Sequence, residues 1–227
     1  MTGERREYPA AVSLEAVAAA WARQEHAAAG SVVSITHEIA GRRRGGMAWE
    51  SRRGAGIRVA VVARPALRPE HEPLCWPAAV TAAALAVSDP SGAGKRVRSW
   101  WPDALIGPTD EECGVVNIVA IAEPGRIGAV VVTARWDLDE RRIDIGRFTD
   151  ETLRLLDLAA ADPHALLAEH AAHSAIIERR VRAILMPRGE IRGVAAEVAR
   201  NGELVLRSPS GLAQRVAVAQ LSHLEPI

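Results

Sequence analysis

Residues 114–134, GVVNIVAIAEPGRIGAVVVTA, decide the fold because they hold two apolar, largely β-branched runs around a short turn. Residues 114–122 and 128–134 are predicted as strands, and Pro124, Gly125 and Arg126 as the turn of a hairpin. A hairpin with one solvent-exposed face would alternate apolar and polar residues, whereas these two runs are apolar almost throughout. The pattern therefore predicts a sheet that is covered on at least one face.

The chain before this hairpin is predicted to alternate between helices and strands. Residues 1–12 show no pattern and are interpreted as a loose start. Ser13 can cap the first helix, and the second helix is alanine-rich and uncharged, which is typical of a buried helix. The predicted elements are helices at residues 14–29 and 77–87 and strands at residues 31–36, 57–63 and 96–99.

After the hairpin the pattern changes from helices to short strands. Thr149 is predicted to cap a helix over residues 149–160, and a second helix follows over residues 164–180. Four short strands separated by glycine turns indicate a small barrel. These strands are predicted at residues 179–185, 191–199, 203–207 and 214–219. The fold class is therefore α+β, a mixed sheet flanked by helices with a C-terminal β module, divided as 1–178 and 179–227.

Composition excludes several classes of function. The chain has 227 residues, with 28 basic and 28 acidic side chains, so it lacks the positive surplus of a general nucleic-acid binder. Cys75 and Cys113 are far apart and match no metal-site spacing, so we expect no metal; a disulfide remains open, although a reduced protein is favoured. No apolar run suits a signal peptide or a spanning helix. We expect a soluble, cytoplasmic protein without nucleic-acid or membrane partners.

Residues 41–49, GRRRGGMAW, form a glycine–arginine loop. Later in the chain come, in this order, Trp101-Pro102, the Gly114 hairpin and the small C-terminal module. This order of motifs resembles the biotin–protein ligase family over nearly the whole chain from about Ser13. The resemblance implies a class II synthetase-like ligase domain with a C-terminal SH3-like barrel. The winged helix of the repressor-type members has no counterpart, so a DNA-binding repressor role is not implied.

The resemblance implies a two-step reaction. Biotin attacks ATP, with Mg²⁺, to form an acyl-adenylate, and a lysine of an acyl-carrier domain then takes the acyl group. The loop of the family reads approximately G-R-G-R-x-G-R-x-W. Gly41, Arg42, Arg44, Gly46 and Trp49 match this pattern, whereas an arginine follows Arg42 where the family has glycine, and Met47 replaces an arginine.

Arg43 is the loop residue that raises a conformational question. If the glycine it replaces has a positive φ angle, we expect Arg43 to be strained by roughly 1–2 kcal/mol. The loop could still bind an anion, but it would be less able to close along the same path.

The strongest departure lies in the family motif K-W-P-N-D. This chain reads Trp100-Trp101-Pro102-Asp103-Ala104, so the lysine that faces the acyl carboxylate and phosphate has become Trp100. Lys95, the only lysine, lies five residues earlier, about 16 Å along a strand, and is not expected to substitute. Asp103 should repel phosphates unless a metal ion or an arginine intervenes. Trp101 matches the family tryptophan and is expected in the core.

The positions that the resemblance assigns to the biotin pocket have also changed. The glutamine before the loop corresponds to Glu38, and the early S-T-N cluster to Ser13-Leu14-Glu15. Gly114 is retained from K-x-x-G, but Glu111 takes the place of its lysine. The G-x-G-x-N strand corresponds to residues 130–135, whose bulkier side chains should narrow the pocket.

Two functional hypotheses follow. The first is a ligase fold with an eroded active site that serves as a binding or regulatory module, for an altered ligand or for a partner. The second is a working ATP-dependent biotin or related acyl ligase in which Arg42, Arg44 and Arg98 replace the missing lysine charge. No catalytic residue is assigned, and any cofactors depend on the second hypothesis. The candidate ligand-binding residues are Ser13, Glu38, Gly41, Arg42, Arg44, Gly46, Trp49, Trp101, Asp103 and Gly114.

The partner and the ligand stay open. An acyl-carrier (biotinyl) domain, another ligase-like subunit and a homodimer are all compatible with the resemblance. For contact with an intact ligase, Trp76 and the strand at residues 128–134 are the surfaces we would examine. His164, His170 and His173 share one predicted helix, but without an acid or cysteine at the right spacing they do not indicate zinc.

Overall fold

The computed structural model describes residues 3–49, 56–88 and 96–227. Its larger sheet has seven strands in the order β1-β2-β3-β7-β6-β5-β4. Strand β1 runs parallel to β2 and the other neighbours are antiparallel, so the sheet is mixed, as predicted. The strands are β1 (Arg5–Ala11), β2 (Ser31–Glu38), β3 (Ile57–Ala63), β4 (Arg98–Trp100), β5 (Ala104–Ile106), β6 (Glu112–Glu123) and β7 (Arg126–Trp136).

The predicted hairpin is the centre of this sheet. Strands β6 and β7 pair from Gly114 opposite Trp136 to Glu123 opposite Arg126, so both extend beyond the apolar runs into polar residues. The prediction of a loose N-terminus was wrong, because Arg5–Ala11 forms β1 at the sheet edge. An edge strand is half exposed, and its sequence RREYPAA therefore lacks the apolar pattern of a central strand.

Helices cover both faces of the larger sheet, and they are α1 (Leu14–Gln24), α2 (Cys75–Leu85), α3 (Ile145–Ala161) and α4 (Pro163–His173). Helix α1 packs on one face of the sheet, whereas α2 and α3 pack on the other. The predicted helix cap Thr149 was wrong, because the Asp144 carboxylate caps α3 by accepting a hydrogen bond from the Arg147 amide. Thr149 lies inside the helix and its hydroxyl donates to the Ile145 carbonyl at 2.9 Å.

The C-terminal module is a second sheet of five antiparallel strands in the order β11-β10-β9-β8-β12. Its strands are β8 (Arg180–Leu185), β9 (Glu190–Val198), β10 (Leu204–Arg207), β11 (Ala213–Val216) and β12 (Leu221–Pro226). Strand β12 was not predicted, because LSHLEP carries no run of apolar residues. The sheet does not close, since β11 and β12 remain edges within the part of the chain described. The predicted module is thus present as an open sheet, and the boundary at residue 178 stays a prediction.

Two further expectations concern the cysteines and membrane-spanning helices. Cys75 and Cys113 are both free thiols in buried positions, and burial raises the pKa of each. Within the described ranges, no helix has the length and apolar character needed to cross a membrane.

Candidate functional site

The glycine–arginine loop folds as a short hairpin. The Arg43 amide donates to the Met47 carbonyl at 2.9 Å, and the Trp49 amide donates to Gly41 at 3.0 Å. Gly45 and Gly46 take the positive φ angles of the turn, 69° and 75°. Arg43 is extended, with φ −106° and ψ −177°, a conformation open to any residue. The expected strain at Arg43 was therefore wrong, because the turn places its positive φ angles two and three residues later.

Arg44 joins this loop to the second sheet. Its side chain is buried, with 7% of the residue exposed, and its guanidinium donates to the carbonyls of Val218 (3.4 Å), Leu221 and Ser222 (3.3 Å). Burial lowers the pKa of Arg44, and neighbouring Asp103 only partly offsets that effect. Arg44 thus anchors the loop on the start of β12, whereas Arg42 donates to the Gly46 carbonyl within the loop.

Asp103 lies next to two arginines. Arg43 Nε is 3.4 Å from Asp103 Oδ2, and Arg44 Nε is 3.6 Å from Oδ1. Arg43 also donates to both carboxylate oxygens of Glu112, at 3.2 and 3.1 Å. Burial alone would lower the pKa of Arg43, but Asp103 and Glu112 raise it above its ordinary value. Asp103, the acid that replaces the family asparagine, therefore lies beside two arginines, Arg43 and Arg44.

A cleft of about 290 Å³ opens between the loop, the β4–β5 turn and β12, and we call it the loop cleft. Trp100 and Trp101 line it, and both belong to the hydrophobic core. Trp101 is fully buried, and its Nε1 has no hydrogen-bond partner among the described residues. Lys95, the only lysine of the sequence, lies outside the described residues.

A second group of charged side chains lies under α1, and we call it the sheet cluster. Arg135 on β7 is fully buried and bonds to Glu38 at the end of β2, with Nε–Oε2 2.6 Å and Nη2–Oε1 2.7 Å. The same Nη2 is 2.7 Å from Glu15 Oε1 in the first turn of α1. Glu38 also accepts from the Leu14 amide at 2.8 Å. The structure therefore brings together three positions that the resemblance assigns to the biotin pocket.

Neutral side chains complete the sheet cluster. Thr133 and Asn117 donate to Glu15 Oε1 at 3.0 and 3.3 Å, and Ser13 donates to Oε2 at 3.0 Å. Burial tends to raise the pKa of Glu15, but Arg135 and Thr133 hold it below its ordinary value. Sequence reasoning missed Thr133 and Asn117 and gave Arg135 no role. The available signal was polar residues within otherwise apolar strands.

The matched glycines have backbone roles near these groups. A Cβ atom at Gly114 would lie 2.6 Å from the Arg135 carbonyl, so only glycine allows β6 to approach β7 here. A Cβ atom at Gly41 would lie 3.0 Å from Glu38 Oε2. Trp49 is half-buried, with the Arg58 guanidinium 5.9 Å from its ring centroid, and it does not line the loop cleft.

His170 belongs to neither group. It is buried between α4 and α2, where its Nδ1 is 2.9 Å from Thr81 Oγ1. Burial and, to a smaller extent, neighbouring His173 lower the pKa of His170 to about 4. Across the residues that the structure covers, no group of histidine, cysteine or acidic side chains could hold a metal ion.

Comparison with known proteins finds similarity in structure alone. No protein-family model matches the sequence, and no curated protein matches it. Among solved structures, biotin protein ligase from Aquifex aeolicus in complex with biotin and ATP is 12% identical with a TM-score of 0.66, over 99% of both chains.

Two further solved structures agree with this. Biotin acetyl coenzyme A carboxylase synthetase from Helicobacter pylori is 12% identical with a TM-score of 0.62, over 94% of this chain and 99% of that chain. A biotin protein ligase-like protein of unknown function from Silicibacter is 15% identical with a TM-score of 0.59, over 96% and 95%. Such low identities establish the fold and nothing finer. The chain therefore has the fold of the biotin protein ligases, as its motifs predict.

Proposed function

We propose that this protein is a ligase-fold binding module that does not form a biotinyl-adenylate. The sheet cluster carries this proposal, because Arg135, Glu38 and Glu15 fill the positions that the resemblance assigns to biotin recognition. Arg135 bonds to both acids at 2.6–2.8 Å away from solvent. Separating one member of a buried ion pair costs about 3–5 kcal/mol, so biotin binding here would weaken by roughly a hundredfold or more.

The arrangement of cations supports the same conclusion. Charge that develops on phosphate must meet a fixed, available cation. Trp100 occupies the lysine position, Arg44 is bound to the carbonyls at the start of β12, and Arg98 pairs with Asp110 at 2.9 Å. Of the three arginines that a working ligase would use instead, only Arg42 has no carboxylate partner within the described ranges. The hypothesis of an active ligase therefore has little support from these side chains.

The partners of such a module are also part of the proposal. A ligase skeleton without ligase chemistry can still recognise an acyl-carrier domain, another ligase-like subunit or a second copy of itself. Binding of any of these would need the surface of the fold rather than a working adenylation site.

Titration calorimetry with biotin, ATP and a non-hydrolysable biotinyl-adenylate analogue tests the proposal. We expect no heat of binding from biotin or the analogue at millimolar concentration, and no biotin attached to a carrier domain by mass spectrometry. An active biotin ligase acting on the same carrier domain is the positive control. Biotin attached to the carrier domain by the unmodified protein would disprove the proposal.

A matched variant tests whether the buried charges of the sheet cluster are what excludes biotin. Glu15→Gln, Glu38→Gln and Arg135→Asn together remove the three buried charges of the sheet cluster, and Glu38→Gln returns the residue type that the resemblance gives for that position. We expect this triple variant to bind biotin measurably better than the unmodified protein, provided that its thermal unfolding remains cooperative. If the folded variant gains no affinity, the sheet cluster is not what excludes biotin.

A further inference from the structure

The outer face of the C-terminal sheet carries a row of side chains that runs across its strands, and we call it the outer row. Arg180 on β8 is opposite Val194 on β9, Val194 is opposite Arg207 on β10, and Arg207 is opposite Ala213 on β11. Just after β12, the Ile227 amide donates to the Arg180 carbonyl at 3.1 Å. Residues that are directly opposite each other in a sheet lie on the same face. The outer row therefore consists, in order across the sheet, of Ile227, Arg180, Val194, Arg207 and Ala213.

Every position of the outer row is exposed to solvent. Ile227 is 55% exposed and Val194 is 38% exposed, which is high for large apolar residues. A single exposed apolar side chain is common in folded proteins, whereas here apolar and cationic side chains alternate regularly along one row. A surface with this pattern is complementary to a partner that alternates apolar and acidic groups.

The arginines of the outer row are not neutralised by their neighbours. Arg180 and Arg207 make no ion pair and no side-chain hydrogen bond with any residue that the structure describes. Two residues further along β8 and β9, on the same face, Arg182 is opposite Arg192. Glu190 pairs with both of these arginines, at 3.7 Å from Arg182 Nη1. The outer row thus offers two free cations beside a row whose charges are already paired, so its complement is acidic.

The spacing of the outer row indicates the form of the partner. Neighbouring strands lie about 4.8 Å apart, so the two arginines are separated by ~9.6 Å, and so are the two apolar residues on either side of Arg180. A helix rises about 10.5 Å over seven residues, whereas an extended strand repeats its side-chain direction every ~6.7 Å. A helix lying across the strands therefore matches the row. Its apolar residues would be at i and i+7, and its acids at i+3 or i+4 and at i+10 or i+11.

Three other occupants match the outer row less well. A second copy of the chain, in a two-fold contact centred on the row, would bring arginine against arginine. Nucleic acid gains its affinity from many phosphate contacts and from stacking, whereas the row has two free cations and no aromatic ring. An anionic membrane surface would match the charges but not their spacing.

We propose that the outer row binds an acidic, amphipathic helix of a protein partner. Two carboxylates of the helix pair with Arg180 and Arg207, and its apolar side chains pack against Ile227 and Val194. This inference rests on the proposed function and deepens it, since it names the surface with which the binding module recognises a partner.

Fluorescence anisotropy of a labelled synthetic peptide, titrated with the full chain at low ionic strength, tests the inference. The peptide is a helix of about three repeats of leucine, two alanines, glutamate, glutamine, alanine and glutamine, which places leucine and glutamate on one face. We expect saturable binding of this glutamate peptide. The same peptide with lysine in place of glutamate should bind weaker by roughly tenfold or more, because its charges repel the arginines.

Variants of the arginines identify the surface. Arg180→Gln should weaken binding of the glutamate peptide several-fold, and Arg180→Gln with Arg207→Gln by roughly tenfold or more. Arg192→Gln is the matched control, because it removes the same charge from the same face at a position that Glu190 already neutralises. It should change the affinity by less than about twofold. The three positions are exposed, so we expect each variant to fold.

Three results would overturn the inference. The first is a glutamate peptide that does not bind at millimolar protein. The second is equal weakening by Arg180→Gln and Arg192→Gln, which would reflect charge in general rather than the outer row. The third is binding to anionic phosphatidylglycerol vesicles without binding to the peptide, which would indicate a membrane surface. The proposed function fails separately, through biotin attached to a carrier domain.

Discussion

The sheet cluster and the loop cleft are built from the same residue types but differ in the length of their ion pairs and in how much space stays open. In the sheet cluster, Arg135 reaches Glu15 and Glu38 at 2.6–2.8 Å, and neutral side chains occupy further lone pairs of Glu15. In the loop cleft, Asp103 is 3.4 and 3.6 Å from its two arginines, and about 290 Å³ stays open. The sheet cluster thus has the shorter ion pairs, although Arg135 Nη1 is buried without a hydrogen-bond partner among the described residues.

The origin of the difference lies in the elements that supply each group. The sheet cluster comes from the start of α1, the end of β2, the middle of β6 and the last residues of β7, and one sheet holds these strands in a fixed register. The loop cleft draws its walls from a loop, a strand turn and the second sheet. Side chains from such separate elements are less constrained to meet at ideal distances. The shorter distances in the sheet cluster mean that breaking it should cost more stability than changing the ion pairs of the loop cleft.

The largest effect is expected at Arg135. Arg135→Ala leaves Glu15 and Glu38 buried without their cation, which typically costs about 3–5 kcal/mol of unfolding free energy. Urea denaturation followed by circular dichroism at neutral pH measures this loss. Such a loss would show that the sheet cluster holds the fold together as well as filling the pocket.

A neutral version of the cluster is the matched control. Glu15→Gln, Glu38→Gln and Arg135→Met together remove every charge and keep similar volumes, so this triple variant should lose clearly less stability than Arg135→Ala alone. If both variants lose the same amount of unfolding free energy, the loss comes from packing. The buried charges of the sheet cluster would then not explain how it differs from the loop cleft.

Acid should also lower the free energy of unfolding. The effect of His170 must be measured apart from that of the carboxylates in the sheet cluster, because both contribute to the loss of stability in acid. His170 has a pKa of about 4 when folded and about 6.5 when unfolded. Between these values only the unfolded chain takes up the proton, so stability falls as the pH drops from about 6.5 to about 4. The full difference corresponds to roughly 3 kcal/mol. Urea denaturation at a series of pH values measures it.

His170→Gln should remove this part of the acid sensitivity, whereas His164→Gln, at an exposed position of the same helix, should leave it unchanged. The sensitivity that remains below about pH 4 then belongs to carboxylates. Glu15, whose folded pKa is lowered, loses its stabilising effect as the pH falls through that value. An unchanged pH profile in His170→Gln would mean that the histidine is not held neutral by its burial.

Particular elements show how far the sequence could lead. The β6–β7 hairpin and the buried helix α2 were predictable because long apolar runs report burial directly. Strands β1 and β12 were not, because an edge strand is stabilised by pairing with a distant segment and keeps a polar sequence. The pocket positions Glu15, Glu38 and Arg135 were identified one by one as departures from a family pattern. That they bond to one another could not be read from the sequence, because they are separated by 97 to 120 residues or lie on different elements.

The smallest expected effect separates two neighbouring arginines of the loop. Arg44→Ala removes a buried donor from the carbonyls of Val218, Leu221 and Ser222, and each unsatisfied buried carbonyl is unfavourable, so we expect a loss of about 2 kcal/mol in unfolding free energy. Arg43→Ala removes partly exposed ion pairs and should lose only about 0.5–1 kcal/mol. Urea denaturation of the two variants side by side provides the measurement, each serving as control for the other. Equal losses would mean that Arg44 does not anchor the loop to β12, and that the walls of the loop cleft are held together by some other contact.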